Sequence, residues 1–247
     1  MKKAFQWSCR PRTLLPSPLL AAAVLLLMTM SGCRTIGIGR PDADAGPAAA
    51  AAPGVEPEFR GAAGMNRLQN RLVEGAYFVR GKQQLRVNGR NFNNDCTGTV
   101  LAIYWYAGID LAQPLARYTG NGVSRLYQYL EDARVLMETR DPAAGDIIFW
   151  DNTYDRNGDS RPNDFLTHTG MVVGVEKDGT IHYVHHNYRK GVVFARMNLY
   201  KPDVYTEEVE GRPIIVNSPM RMRGSPDYDK WLASELTRNF GQAWRMF

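Results

Sequence analysis

The chain has 247 residues, of which 44% are hydrophobic, and carries a formal net charge of +5 with an isoelectric point near 9.1. Residues 1–33 hold four of the 30 Lys and Arg residues and none of the 25 Asp and Glu residues. Without that segment the balance is 26 basic against 25 acidic residues, so the charge predicts no nucleic-acid partner.

The N-terminus has the order of a secretion signal. Basic residues open the chain, an apolar run extends from Leu14 to Met30, and Ser31-Gly32-Cys33 follows. Small residues directly before a cysteine resemble the lipobox of bacterial lipoproteins. We therefore expect residues 1–33 to be a lipoprotein signal peptide ending at Cys33, whose lipidation would anchor the exported protein in a lipid membrane. The alternative is an uncleaved signal anchor, which Pro16 and Pro18 disfavour.

Arg34, with no Asp after Cys33, resembles the sorting pattern of outer-membrane lipoproteins, so a periplasm-facing position at the outer membrane is expected in a Gram-negative host. Cleavage would also remove Cys9, and lipidation would block Cys33. Cys96 is then the single free thiol, which excludes a disulfide framework.

Residues 34–64 are rich in Ala, Pro and Gly and show no apolar period, which predicts a tether. The remaining residues, 65–247, are within the size of one compact domain. Apolar residues at helical spacing predict a helix over 65–79 and a helical region over 123–137. A further helix is predicted to start at Cys96, with Asp95 as its N-cap and Gly108 at its end.

The second half of the domain changes to short β-rich runs. Strands are predicted over 146–150, 169–175, 180–186 and 191–197. Asp178-Gly179 lies between the second and third of these runs and predicts a hairpin. Helices followed by antiparallel strands indicate an α+β domain.

Cys96 falls in the first turn of its predicted helix. Helix N-termini favour the thiolate, so we expect a lowered pKa and a more nucleophilic sulfur. Gly98 would let a substrate backbone come close. The alternative for a lone helix cysteine is that it fills space in the core.

All four histidines lie in the strand half. Cys–His catalysis needs an imidazole to accept the thiol proton and a third group to orient that imidazole. His168 begins an apolar strand and is the candidate base. On the next strand His185 shares a face with Ile181 and Tyr183, whereas His182 and His186 share the other face, so only one of these sets can point at His168.

Three motifs together resemble a known family. "DCTG" opens a helix, "GDIIFW" forms the next strand, and "HTGMVVGVEKDGTIHYVHHNY" follows. Their order and spacing over roughly residues 88–198 are similar to the NlpC-type and CHAP cysteine peptidases and amidases of bacterial cell walls. The resemblance implies a papain-like fold, with Cys96 as nucleophile, His168 as base and His185 as the third residue. In CHAP members that third residue is Glu or Asn, and Asn187 stands two residues after His185.

This resemblance implies a peptidoglycan hydrolase that cleaves an amide of the wall peptide and requires no cofactor. Thiolate attack would give a thioester after His168 protonates the leaving amine, with backbone N–H groups at the helix start meeting the oxyanion. Asp95, Thr97, Gly98 and Asn187 are expected to bind substrate. The "DGTI" turn sets the register that brings His185 to His168, leaving His182 and His186 facing away from the cleft.

The loop "DNTYDRNGDSRPNDF" precedes His168. Asp155, Asn157 and Asp159 alternate as calcium ligands do, and Asn163 or Asp164 could complete a structural calcium site. The loop departs from an EF-hand, because its Gly comes too early and no Glu closes it. The alternative is a polar, turn-rich loop.

Two other functions compete with hydrolysis. One is a catalytically silent lipoprotein that only binds wall peptides, which the presence of both Cys96 and His168 disfavours. The other is thiol-dependent acyl transfer to lipid, which is disfavoured because nucleophile and base occur in the opposite order in the permuted acyltransferase relatives. The sequence points to no particular scissile amide and no particular oligomeric state.

Overall fold

The computed structural model describes residues 64–222, 224–226 and 228–247. The expected signal peptide, the lipidated Cys33 and tether residues 34–63 lie outside this range. Within it, no helix has both the length and the apolar character needed to cross a membrane.

Five helices and ten strands form in the described residues. The helices are α1 (Arg67–Val79), α2 (Cys96–Tyr106), α3 (Ala112–Leu115), α4 (Gly122–Asp132) and α5 (Ala233–Leu236). The strands are β1 (Leu85–Val87), β2 (Arg90–Phe92), β3 (Leu136–Met137), β4 (Ile147–Trp150), β5 (His168–Val175), β6 (Thr180–Asn187), β7 (Gly191–Asn198), β8 (Thr206–Val209), β9 (Arg212–Ile215) and β10 (Thr237–Gly241). A short 3-10 helix, Ala243–Met246, ends the chain.

Helix α1 begins with a capping box. The Asn66 side chain accepts from the Gln69 N–H at 2.9 Å, and the Gln69 side chain accepts from the Asn66 N–H at 3.1 Å. One face of α1, which includes Leu72 and Ala76, is fully buried. The helix predicted over 65–79 is thus confirmed to within two residues.

The α2 prediction is also confirmed. Asp95 caps the helix by accepting from the Gly98 N–H at 2.6 Å, and Gly108 follows the helix with φ +93°. The helical region predicted to reach residue 137 was too long. Helix α4 ends at Asp132, because Arg134 turns the chain at φ +56° into strand β3.

The main sheet is antiparallel with strand order β3-β10-β4-β5-β6-β7. Strands β5 and β6 form the predicted hairpin, in which Gly179 has φ +88° and Asp178 accepts from the Thr180 N–H at 2.9 Å. The C-terminal strand β10 inserts between β3 and β4, a non-local pairing that the sequence pattern did not predict. The α+β fold, with helices followed by an antiparallel sheet, is confirmed.

Each face of the sheet has its own core. Helices α1, α2 and α4 pack on one face, against residues such as Phe149, Met171 and Val184. The other face carries Trp150 and Tyr183, which pack with Met220 and Leu236 from the C-terminal region. Strand β5 begins and strand β6 ends at the same edge, close to the start of α2, so both cores border a single cleft there.

Candidate active site

A cavity of about 360 Å³ opens where α2 begins, β5 begins and β6 ends. It is lined by residues from five parts of the chain: Asn94, Asp95, Cys96, Thr153, Tyr154, Thr167, His168, His185, His186, Asn187, Tyr188, Pro219, Met220, Arg221 and Met222. The cavity therefore brings the three predicted catalytic residues to one place.

Cys96 is half-buried at the first position of α2. The neighbouring donor groups of Thr169 and Thr97 act to lower the pKa of the thiol. Burial acts against them, and the charge of Asp95 adds to its effect, so the pKa of Cys96 rises to about 11. The expected lowering by the helix N-terminus is therefore wrong, because desolvation of the thiolate outweighs the local donors.

His168 and His185 contact each other through ring nitrogens. The distance from His168 Nε2 to His185 Nδ1 is 2.9 Å, and the ring planes are nearly perpendicular at 84°. On the sheet His185 lies opposite Gly170, two residues from His168 on the same face. A Cβ on Gly170 would lie 2.6 Å from the Val184 carbonyl oxygen, so glycine there permits this close pairing. The predicted contact is present, but the turn alone does not set it. Continued from the pairing of Gly174 with His182, the register of the turn would place His186 opposite Gly170, and a one-residue register shift between Val172 and Gly174 brings His185 there instead.

Both rings are held neutral. Burial, followed by the charge of His186, lowers the pKa of His168 to about 4. Burial and the two neighbouring histidines lower the pKa of His185 well below its ordinary value. The lowered pKa of each ring favours the neutral imidazole.

The other two histidines differ from each other. His182 contacts the carboxylate of Glu176, with Arg196 Nη2 3.6 Å from the same oxygen, away from the cavity. His186 lines the cavity, and the charge of Asp95 partly offsets the lowering of its pKa by burial. The expectation that His186 faces away from the cleft is therefore wrong. At the end of β6 both faces of the strand border the cleft, because α2 starts over one of them.

The predicted substrate-binding residues occupy different places. Asp95 and Asn187 line the cavity, whereas Thr97 and Gly98 are buried and do not. A Cβ on Gly98 would lie 2.0 Å from the Asn93 carbonyl oxygen, so the glycine accommodates the chain leading into α2. The Asn187 side-chain oxygen accepts from the N–H groups of Arg189 and Lys190 in the β6–β7 turn. The substrate roles of all four remain predictions.

Sequence reasoning missed one wall of the cavity, formed by residues 219–222. These residues lie more than 30 positions after His186 and show no periodic pattern or motif. Their backbone is joined to the loop before β5 by a hydrogen bond of 2.7 Å from the Met222 N–H to the Thr153 carbonyl. Only long-range pairing of the chain identifies them.

In the proposed calcium loop, side-chain oxygens accept mostly from the loop's own N–H groups. Asp155 accepts from Gly158 at 2.8 Å and from Ser160 at 3.0 Å, and Asp164 accepts from the Arg156 N–H at 3.1 Å. Asn157, Asp159 and Asn163 bond to one another and to neighbouring backbone. Across the described residues, no group of three or more His, Cys, Asp or Glu side chains is arranged to hold a metal ion. Calcium binding here stays a prediction.

Comparison with known proteins finds a family match over the same region. The CHAP domain family model matches residues 86–187, which span α2, the sheet strands β3–β6 and all three predicted catalytic residues. No curated protein and no solved structure gave a significant match. A CHAP domain implies an amidase or peptidase of peptidoglycan, typically cysteine-dependent, and an extracytoplasmic location.

Proposed function

We propose that the CHAP domain hydrolyses an amide bond of the peptidoglycan peptide through Cys96, His168 and His185. The observation that carries this proposal is the partly buried ring contact between His168 and His185, on the wall of the cavity that also holds Cys96. A thiol and an imidazole held by a second imidazole are the parts that nucleophilic acyl transfer requires.

The proposal requires one particular placement of the protons in the ring contact. For His168 to accept the thiol proton at Nδ1, its proton must lie on Nε2 and be donated to Nδ1 of His185, which then accepts. His185 thus keeps His168 in the tautomer that acts as a base and stabilises the imidazolium formed during attack. Because His185 carries no negative charge, its contribution is mainly orientation.

Proton transfer accompanies sulfur attack. The pKa of Cys96 near 11 and that of His168 near 4 leave the thiol protonated in the free enzyme, so the proton must pass to His168 as the carbon–sulfur bond forms. The N–H groups of Gly98 and Thr99 donate to Asp95, and we assign the Cys96 N–H to the oxyanion.

The reaction is then completed in two steps, release of the amine and hydrolysis of the thioester. His168 gives its proton to the leaving amine, and the acyl group remains on Cys96 as a thioester. Water attacks this thioester while His168 accepts one of its protons. When the carbon–sulfur bond breaks, the sulfur takes this proton from His168. The thiol is restored and the carboxylic acid product is released.

The experiment is digestion of purified peptidoglycan with the purified protein, followed by mass measurement of the released fragments. The proposal expects fragments that gain one water at an amide bond, and their masses identify that bond. Tight binding to peptidoglycan without any released fragment would instead favour the wall-peptide binding protein.

We also propose that the mature protein is held at the membrane through acylated Cys33. The order of basic, apolar and small residues before Cys33 supports this anchoring. A Cys33→Ala variant is expected to lose the lipid label and to leave the membrane fraction of the cells. Complete retention of that variant in the membrane fraction would favour an uncleaved signal anchor.

A further inference from the structure

We propose that a basic and aromatic surface at the end of α1 docks on a membrane that contains anionic phospholipids. This α1 surface consists of Arg71, Tyr77, Phe78, Arg80, Lys82, Tyr106 and Phe194. Docking is separate from the chemistry at Cys96, and it rests on the proposed acylation of Cys33 only for the length of the tether.

Positive charge is concentrated in the first part of the domain. Residues 64–92 contain six Lys and Arg residues and one acidic residue, Glu74. Without residues 1–33 the chain as a whole is nearly balanced, with 26 basic and 25 acidic residues, so this excess is local. A local excess of positive charge attracts an anionic membrane surface whatever the net charge of the protein.

The cations of the α1 surface stack on aromatic rings. Three of them lie 4.2 to 5.3 Å from ring centres: Lys82 over Phe78, Arg80 over Phe194 and Arg71 over Tyr106. Arg71 also donates to the Tyr106 carbonyl at 3.1 Å. Within the part of the chain that the structure describes, none of these three cations pairs with a carboxylate. Stacking on a ring holds each cation in place and leaves N–H groups at its edge for a phosphate.

Two rings of the α1 surface are half-exposed. Tyr77 and Phe78 are neighbours at the end of α1, and each is 42% exposed. Their ring centres lie 4.9 Å from that of Phe194 and 5.1 Å from that of Tyr106, respectively. Exposed aromatic rings combined with Lys and Arg are typical of protein surfaces that lie at the headgroup level of a membrane.

The α1 surface also belongs to the first element after the predicted tether. Residues 34–64 lead from Cys33 to α1, and a flexible chain of that length spans about 30 Å. With Cys33 acylated as proposed, the domain would stay within about that distance of the lipid. At such a short distance a weak attraction is enough to keep the surface docked, because binding is effectively intramolecular.

Docking would also set the orientation of the cleft. The Gly81 N–H donates to the Val192 carbonyl at 2.9 Å, which joins the end of α1 to the start of β7. The turn before β7 carries exposed Arg189 and Lys190, and its Tyr188 lines the active-site cavity. Docking through the α1 surface would therefore hold this rim of the cleft close to the membrane.

The test measures how fast Lys82 is acetylated by an N-hydroxysuccinimide ester, with the product quantified by mass spectrometry. The exported protein is incorporated into vesicles of phosphatidylcholine, or of phosphatidylcholine and phosphatidylglycerol in equal parts. We expect phosphatidylglycerol to slow acetylation of Lys82 about tenfold, and high salt to restore the rate by screening the attraction. Lys230, which is exposed and outside the α1 surface, is the internal control and should react equally fast on both kinds of vesicle.

Removing charge from the α1 surface should abolish the protection of Lys82. The double variant Arg71→Gln, Arg80→Gln should dock about thirtyfold more weakly, so that Lys82 reacts on phosphatidylglycerol vesicles nearly as fast as on neutral ones. The double variant Arg71→Lys, Arg80→Lys keeps the charge and should keep the protection. The matched control is Arg117→Gln, Arg212→Gln, which removes the same charge from exposed positions outside the surface and should also keep the protection.

Equal rates of Lys82 acetylation on the two kinds of vesicle would overturn the proposal. Protection of Lys82 by inorganic phosphate or by purified peptidoglycan, as strong as that by phosphatidylglycerol, would overturn it too by assigning the surface to another ligand. Cys96→Ser should keep full protection even though it cannot hydrolyse, so failure of docking and failure of the proposed function are separate results. Protection in a protein whose mass shows no acyl group on Cys33 would support the surface and refute only the anchor.

Discussion

The matched segment, residues 86–187, and the C-terminal residues 199–247 build the same cleft in different ways. The first supplies the thiol, the imidazoles and Asp95, all held on α2, β5 and β6. The second supplies β10 inside the sheet and the wall at residues 219–222, held by hydrogen bonds to distant backbone. Reactive groups and cleft shape therefore come from separate parts of the chain, and substitutions in the two parts should affect different kinetic parameters.

The largest effect is expected from Cys96→Ser. Oxygen is close to sulfur in volume but far less nucleophilic, so hydrolysis should fall by about three orders of magnitude or more. The thermal midpoint should stay within about 2 °C of the wild type, because the half-buried site keeps its shape. Fragment release from peptidoglycan and a melting curve measure the two quantities.

His168→Ala should lose activity in the same way as Cys96→Ser. A Cys96→Ser protein that still hydrolyses peptidoglycan at the wild-type rate would move the nucleophile to another residue. The residues of the matched segment would then no longer be the reactive groups of the cleft.

Removing the orienting ring should have the second largest effect. His185→Ala should lower kcat by about two orders of magnitude, less than Cys96→Ser, because His168 can still accept a proton but is no longer held in one tautomer. The matched control is His182→Ala on the same strand, since His182 contacts Glu176 instead of the cleft. Equal losses in the two variants would mean that the ring contact has no part in turnover.

The pH dependence of kcat/KM should follow the protonation of His168. His168 is an effective base only when neutral, and its pKa is lowered to about 4, so kcat/KM should be level near neutral pH and fall only below about pH 4. An ordinary, exposed histidine base would lose activity near pH 6.5. A pH profile of hydrolysis that falls at pH 6 to 7 would show that the base is more exposed than His168.

The rate of thiol alkylation provides an independent check on the protonation state of Cys96. The pKa of Cys96 is raised to about 11, so alkylation of Cys96 by iodoacetamide should be slow at pH 7 and accelerate towards pH 11. Cys96 is the single cysteine of the described residues, which makes the measurement specific there. Fast alkylation at pH 7 would indicate a thiolate already formed in the free protein.

The reactive half of the site could be predicted from the sequence because its signals are local. Asp95 before Cys96 marks the start of a helix, and Asp178-Gly179 marks the hairpin that returns the chain towards His168. The register shift between Val172 and Gly174, which brings His185 rather than His186 opposite Gly170, has no such local signal. The raised thiol pKa could not be predicted, because it depends on burial by residues distant in sequence. Strand β10 and the wall at 219–222 were missed for a related reason: each is positioned by contacts across more than 60 residues, which no local period records.

The smallest effect is expected where the wall is anchored. Arg221 is 8% exposed and donates to two backbone carbonyls while lying over Tyr228, an arrangement that a lysine ammonium cannot reproduce. Arg221→Lys should cost about 1–2 kcal/mol of unfolding free energy, which lowers the thermal midpoint by about 2–6 °C. Because the wall would loosen while the thiol and both imidazoles keep their places, KM should rise, and kcat and its pH profile should not change. Arg212→Lys on the exposed strand β9 is the control, and should alter neither stability nor KM. If Arg221→Lys lowers kcat as strongly as His185→Ala does, the wall and the reactive groups are coupled, and the two halves of the cleft are not separable.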